Sequence, residues 1–317
     1  MLKKSLPLMA IGVVMMMTSV THAETRVTYK SAKSTSSYFQ MAVQISEAMK
    51  RGTHGDIIVT VEESQGSVQN VKEVAKRQGN YVFTTPPALV NLAMAGEKMF
   101  KPLDAYKNIR ALFVIPSLTM QYVVSDSSGV RNFADLSGKS FIIGKGSFGA
   151  KEAAKNFKTF GLEGKVNLAK VELNAAGPAL KNGKVDGFAT AGSYPAPNVI
   201  EAAAGSKIRL LSMTDEQVRQ TKRTRIVIPA GTYPGVDYDV VTTSLPVGAY
   251  TTTAMDNDTA YALTRTYWEQ KAAMGESNPW WNGVSAAMLT TLAGKLHPGA
   301  LRYYKEAGIK IPDHLNP

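Results

Sequence analysis

Apolar positions along this chain change period repeatedly, and each change marks an element. Residues 27–31 and 57–61 are short apolar runs of strand length. Between them Tyr38, Ala42, Ile45 and Met49 recur at helical spacing, with Phe39 and Val43 beside them, and Gly52 stops the helix. Ser67 is placed to cap a second helix that carries Val68, Val71, Val74 and Ala75 on one side and Lys72, Lys76 and Arg77 largely outside. Residues 81–84 read as a third strand ended by Pro86 and Pro87, residues 87–95 as a helix, and 109–114 and 120–125 as two extended runs. This alternation predicts open α/β sheets.

The pattern restarts after Ser125. A helical turn over 132–136 and a strand over 141–143 lead to a helix over 147–160 with Ala150, Ala153, Ala154 and Phe157 inward, closed by Gly161. Helices over 175–182 and 197–204 then alternate with strands over 187–190 and 208–211. A strand over 240–247 returns the chain to where it began, and helices over 259–273 and 298–307 close it. The expected organisation is a signal at 1–23, lobe I from 24–120 and 247–317, and lobe II from 121–246. Open α/β sheets bind ligands outside the carboxyl ends of their strands, so the cleft between the lobes is the expected site.

Residues 1–23 change how later motifs are read. Lys3 and Lys4 precede an apolar run over 6–20, and Thr21-His22-Ala23 has the small-x-small spacing of a cleaved export signal. The run is shorter than the ~20 residues that span a bilayer, so cleavage rather than anchoring is expected. The chain has no Cys, hence neither disulfides nor a lipid-anchoring cysteine, and a periplasm is the compartment that fits. The formal charge of +11 includes Lys3 and Lys4, and the remaining excess suits an anionic ligand or an acidic partner. Lys and Arg are dispersed with no recurring aromatic-basic block, which argues against nucleic acid.

Three strand-to-helix turns are expected to line the cleft. The first supplies Lys33, Ser34, Ser36, Ser37 and Tyr38, the second Gln65 and Ser67, and the third Lys145, Gly146 and Ser147. Each presents free backbone N–H groups and the positive end of a helix dipole, an arrangement suited to anions. Ser at a helix start is often only a cap; three such turns at one switch point favour binding. Thr84, Thr190 and Tyr194 stand at predicted strand ends and complete the wall. Gly144-Lys145-Gly146-Ser147-Phe148-Gly149 matches a dinucleotide fingerprint, with Glu163 and Glu172 near the offset of a ribose-binding acid, but an exported chain does not meet that cofactor. Lys145 stands where a nucleophile elbow needs Gly. After the signal, His54, His297 and His314 are far apart. His297 precedes Pro298 at a helix start, where capping is expected. Asp237 and Asp239 have metal-pair spacing, although a solvated loop is the commoner outcome. Pro279-Trp280-Trp281 is expected to be buried rather than a docking patch. The reading is no catalytic set, no cofactor and no metal.

Several segments carry a family resemblance. Gln65-Gly66-Ser67-Val68-Gln69-Asn70 resembles a Gly-Ser-Val-x-Asn turn, and Ile109-Arg110-Ala111-Leu112 a first-lobe strand, of the TAXI group of solute-binding receptors of tripartite ATP-independent periplasmic (TRAP) transporters. Phe133-Ala134-Asp135-Leu136-Ser137-Gly138-Lys139 is similar to an element common to many binding proteins. Ile228-Pro229-Ala230-Gly231-Thr232-Tyr233-Pro234-Gly235 and Leu296-His297-Pro298-Gly299-Ala300-Leu301-Arg302-Tyr303-Tyr304 are more specific matches. The resemblance covers nearly the whole chain after residue 23. It implies a bilobed type II periplasmic binding protein fold and a small organic anion such as glutamate, glutamine or 2-oxoglutarate. It also implies delivery to integral-membrane TRAP subunits that use a sodium gradient. Two turns depart from the family: Ser36-Ser37-Tyr38-Phe39 replaces a glycine-rich Thr-Tyr-Tyr turn, and Phe148 and Ala150 stand at hydroxyl positions of the third turn. A different organic anion is compatible with both changes. The alternatives are a ligand sensor feeding a membrane histidine kinase and an exported α/β hydrolase or transferase.

Overall fold

The alternating periods are realised as strands and helices over residues 24–77 and 79–317, the part of the chain that the computed structural model describes. The expected export signal lies outside these residues. The chain begins with β1 (Thr25–Lys30), α1 (Ser37–Gly52), β2 (Ile57–Glu62), α2 (Ser67–Glu73), β3 (Tyr81–Thr85) and α3 (Pro87–Ala95). It continues through β4 (Ile109–Ser125), β5 (Ser140–Ile142), α4 (Phe148–Thr159), β6 (Asn167–Leu168), α5 (Ala176–Lys181), β7 (Gly187–Gly192), α6 (Pro197–Gly205) and β8 (Ile208–Leu210). It closes with α7 (Asp215–Thr221), β9 (Thr224–Ile228), β10 (Val240–Thr252), α8 (Asn257–Ser277), β11 (Lys295–Leu296) and α9 (Pro298–Glu306).

The fold is a bilobed α/β arrangement. One lobe is built on the parallel strands β2, β1 and β3, and the other on β7, β5 and β6. Two separate sheets were the sequence expectation, and this is corrected. A single hydrogen-bonded ladder in the order β2-β1-β3-β10-β4-β7-β5-β6 passes through both lobes. The reason is the length of β4 and β10. β10 pairs with β3 through Tyr250 and with β9 through Val240, while β4 pairs with β10 through Phe113 and with β7 through Tyr122. Residues 109–114 and 120–125 are thus one strand, not two.

Pro116 and Pro246 explain the apparent break. Leu245 pairs with Leu118 and Val247 with Ile115, so both prolines fall in a bulge where the ladder skips. Proline has no N–H to donate and is tolerated in a sheet interior at such an irregularity. The two long strands therefore share one irregularity at the prolines, with their pairing continuing on either side of it.

The specific sequence motifs prove to be packing devices. Tyr233 is buried; its hydroxyl donates to Gln121 Oε1 and accepts from the Ala196 N–H at 2.7 Å, fixing the turn after β7. Tyr304 donates to the Leu112 carbonyl at 2.8 Å and accepts from Trp268 Nε1 at 3.0 Å, seating α9 on β4 and α8. Trp280 and Trp281 are buried, as expected, and both indole N–H groups donate to Gln44 of α1.

His297 caps α9. Its Nδ1 accepts from the Gly299 N–H at 3.2 Å, which leaves Nε2 to donate to the Met255 carbonyl at 3.0 Å. Burial holds the imidazole below the usual histidine range of 6.5, partly offset by the Met255 hydrogen bond. A depressed folded value means that the unfolded chain takes up the proton first. The stability from this residue is present above pH 6.5 and is lost as pH falls through the folded value. Wild-type melting temperature should therefore fall between pH 7 and pH 5 more than that of His297→Asn, which keeps a capping acceptor without a titrating ring. Parallel pH curves for the two proteins would contradict this account.

Candidate functional site

Three helix starts converge where the lobes meet. Ser36 caps α1: its hydroxyl accepts from the Phe39 N–H at 3.2 Å and donates to the Lys33 carbonyl at 2.7 Å. Gly66 precedes α2 with φ +113, a conformation that L side chains rarely adopt. Ser147 caps α4 and accepts from the Ala150 N–H at 3.0 Å. The hydroxyls of Ser36 and Ser147 are thus committed to their own helices. Ser67 was expected to cap α2, and this is corrected: the capping position falls to Gly66, whose φ a serine would rarely adopt, and Ser67 is the first helical residue, its hydroxyl without a partner among the described residues.

These turns enclose a cavity of about 80 Å³ lined by residues of both lobes. Lys33, Ser36, Tyr38, Gln65 and Ser67 face it from one lobe, and Lys145, Ser147, Glu172 and Thr190 from the other. The remaining wall is apolar, with Phe148, Leu173, Ile143, Leu118 and several alanines, so polar groups act there in little water. The lobes touch across the cavity. A Cβ built on Gly66 would lie 3.3 Å from that of Ser147, and one on Gly192 would lie 2.5 Å from Ser37 Oγ. Gln65 completes the bridge: with its amide assigned in the orientation that its neighbours satisfy, the oxygen accepts from Lys33 Nζ and the nitrogen donates to the Glu172 carboxylate, each at 3.2 Å.

The structure brings together nine of the expected site residues: Lys33, Ser36, Tyr38, Gln65, Ser67, Lys145, Ser147 and Thr190 on the cavity wall, with Gly146 beside it. The Gly146 backbone approaches Gln65, whose Cβ lies 3.9 Å from the position a Cβ would take. Thr190 is oriented by Asn198, which donates to its hydroxyl at 3.0 Å. Tyr38 donates to the Pro116 carbonyl at 3.1 Å; burial raises its pKa well above the ordinary tyrosine value, so it remains a protonated donor.

Four expected residues do not reach this wall. Ser34 is exposed, and its N–H donates to Glu63, whose carboxyl is held below the usual range by its hydrogen bonds with Ser34. Ser37 is buried beneath the turn against Gly192, its hydroxyl without a partner among the described residues. Thr84 is buried and donates to Tyr29 at 3.1 Å. Tyr194 faces a different cavity and donates to the Val227 carbonyl at 3.4 Å. A strand end fixes the depth of a residue in the cleft, but not which face of the strand carries its side chain.

Sequence reasoning missed Glu172 as a wall residue and missed the small residues of β7. Gly149 shows the signal that was available. A Cβ there would lie 2.4 Å from Ala191 Cβ, so the third glycine of the fingerprint lets α4 approach β7, and phosphate need not be involved. Asn70 has a similar lesson. It is fully buried, and its Nδ2 donates to the Ser31 carbonyl at 2.6 Å and the Thr84 carbonyl at 2.9 Å. The motif asparagine braces the ends of β1 and β3 behind the first turn. Among the described residues no group of His, Asp and Glu is arranged to hold a metal, and no helix is long and apolar enough to cross a membrane.

Known structures offer likenesses at low identity. Holo ArgBP from T. maritima is 12% identical, with a TM-score of 0.47, over 80% of this chain and 95% of that one. The alkanesulfonate-binding protein SsuA from Xanthomonas axonopodis pv. citri, bound to MOPS, is 15% identical with a TM-score of 0.43, over 91% and 80%. The substrate binding protein of an amino acid ABC transporter is 10% identical with a TM-score of 0.45, over 80% and 96%. At the level of sequence, the family model described as the NMT1-like family matches residues 30–308, which take in all three turns, both crossing strands and the two specific motifs. The chain belongs to the NMT1-like family.

Proposed function

We propose that this chain is an extracytoplasmic receptor that binds a small organic anion between two lobes and delivers it to membrane subunits of a transporter. The observation that carries this reading is the convergence of the Ser36, Gly66 and Ser147 helix starts, with Lys33 and Lys145, on one small cavity shared by both lobes. Free N–H groups and dipole ends aimed at one point hold an anion without any group to transform it. His54, His297 and His314 lie off this wall, which also supports binding over catalysis. Residues 24–120 and 247–317 form the first lobe in this reading and 121–246 the second. Cleavage after Ala23 releases the chain into the periplasm. The TAXI-like motifs support TRAP subunits as the membrane partner. No cofactor or metal is required. A histidine kinase encoded beside this chain, in place of membrane transport subunits, would favour the sensor alternative.

The test starts with native mass spectrometry of the small molecule that co-purifies, followed by calorimetry with amino acids, oxo acids and dicarboxylates. Ser67→Ala should lose a hydrogen bond worth roughly 1.5–3 kcal/mol to a charged partner, about a tenfold to hundredfold loss in affinity. Ser127→Ala is the control, because Ser127 is exposed and its hydroxyl pairs with Ser125 at 2.7 Å, away from the cavity. Equal affinities for the two variants would move the site elsewhere, and steady product formation would favour an enzyme.

A further inference from the structure

A second and larger cavity lies on the other face of the crossing strand. Leu118 faces the anion cavity, whereas its neighbours Ser117 and Thr119 face this one by alternation along the strand, and Pro116 joins them where the bulge breaks that alternation. Its volume is about 490 Å³, within the range of roughly 300–1,000 Å³ typical of small-molecule sites. Pro116 and Thr119 of β4 form its floor. Tyr194, Pro195, Ile226 and Pro229 supply one side, and Pro279, Trp280 and Met288 the other. None of the lining residues is charged. The polar groups are hydroxyls, three of them already used: Ser193 donates to the Ser117 carbonyl at 2.8 Å, Thr232 to the Pro229 carbonyl and Tyr194 to the Val227 carbonyl. The indole N–H of Trp280 is taken by Gln44, so this side chain offers carbon surface to the cavity.

We propose that this cavity is a second ligand site, selective for an uncharged compound built on an aromatic ring. Charged solutes are disfavoured because they would lose hydration with no countercharge in the wall. A flat ring instead gains contact with Trp280, Tyr194 and the four proline rings, while Thr119 remains available for one polar substituent. The inference does not depend on what the anion cavity binds.

The experiment titrates the purified protein with N-phenyl-1-naphthylamine, an uncharged fluorescent ring compound. Saturable one-to-one binding is expected, displaced by indole but not by glutamate or 2-oxoglutarate. Gly283→Leu is designed to fill the cavity: Gly283 lines it, and a Cβ there meets no atom within 4 Å. Affinity for the probe should fall at least about tenfold. Met288→Glu, which adds a charge to the wall, should weaken binding by a similar factor and serves if the first variant does not fold. Absence of saturation, displacement by the carboxylates, or equal affinities for wild type and both variants overturns the proposal.

Discussion

Arg223→Ala should destabilise the protein by about 2–4 kcal/mol, because it strands a buried carboxylate. Glu152 lies on the inner face of α4 with 5% of its side chain exposed, and Arg223 grips it with two bonds, Nε to Oε1 at 2.8 Å and Nη2 to Oε2 at 3.0 Å. The next cation, Lys155, is 4.0 Å away and half exposed, so it replaces little of the lost interaction. Arg223 is itself about a quarter exposed, which places the expected cost below the upper end for fully buried pairs. Urea unfolding followed by circular dichroism gives the number. The double variant Glu152→Leu with Arg223→Leu should lie close to wild type, since removing both charges removes the desolvation cost along with the attraction. A single variant within about 0.5 kcal/mol of wild type would show that water reaches Glu152. The pair joins α4 to the segment between α7 and β9, so its loss should also loosen the turn that Ser147 caps.

Asn70→Ala should cost about 2–4 kcal/mol, because its loss takes a core donor from the Thr84 carbonyl and leaves the Ser31 carbonyl with Ser64 Oγ as its side-chain donor. The Asn70 amide reaches Ser31 and Thr84 together, and the Lys30 carbonyl more weakly at 3.4 Å. Asn70→Asp should be no better: a carboxylate would face those same carbonyl oxygens without a proton to share. The folded fraction of Asn70→Ala should also bind the co-purifying anion more weakly, on the order of tenfold, since the first turn hangs from the end of β1. Calorimetry below the melting transition measures this. Unchanged affinity in a destabilised protein would separate the brace from the binding surface.

The starts of α1 and α4 were legible because Ser36 and Ser147 are hydroxyls that cap; at α2 the cap was expected at Ser67 and falls one residue earlier, because Gly66 takes the φ of +113 that the turn needs. The crossing strands were not legible as single elements. The stretch around Pro116 read as a break, and the strand carrying Pro246 was expected to end at 247; only pairing between residues more than a hundred positions apart shows that the two prolines share a bulge. The wall formed by Ala189 and Ala191 carries no signal, because a small residue beside a cavity is indistinguishable from one in a core. Glu172 follows β6, a strand of two exposed residues that hydrophobic spacing does not reveal. Motif residues such as Tyr233 and Asn70 were conspicuous for the right reason, but their work is to hold the backbone that holds the site.

The shared bulge strands also set an order of assembly. The edge of β3 that receives β10 stays unpaired until Tyr250 arrives opposite Phe83, after the whole middle of the chain has been made. The middle segment meets its own neighbour sooner, because β7 follows β4 by a shorter stretch of chain. Closing the longer loop costs more entropy before any contact rewards it. The N-terminal third therefore waits for the C-terminal quarter, and refolding should be limited by the joining of β10 to β3 and β4, with the intervening segment already ordered.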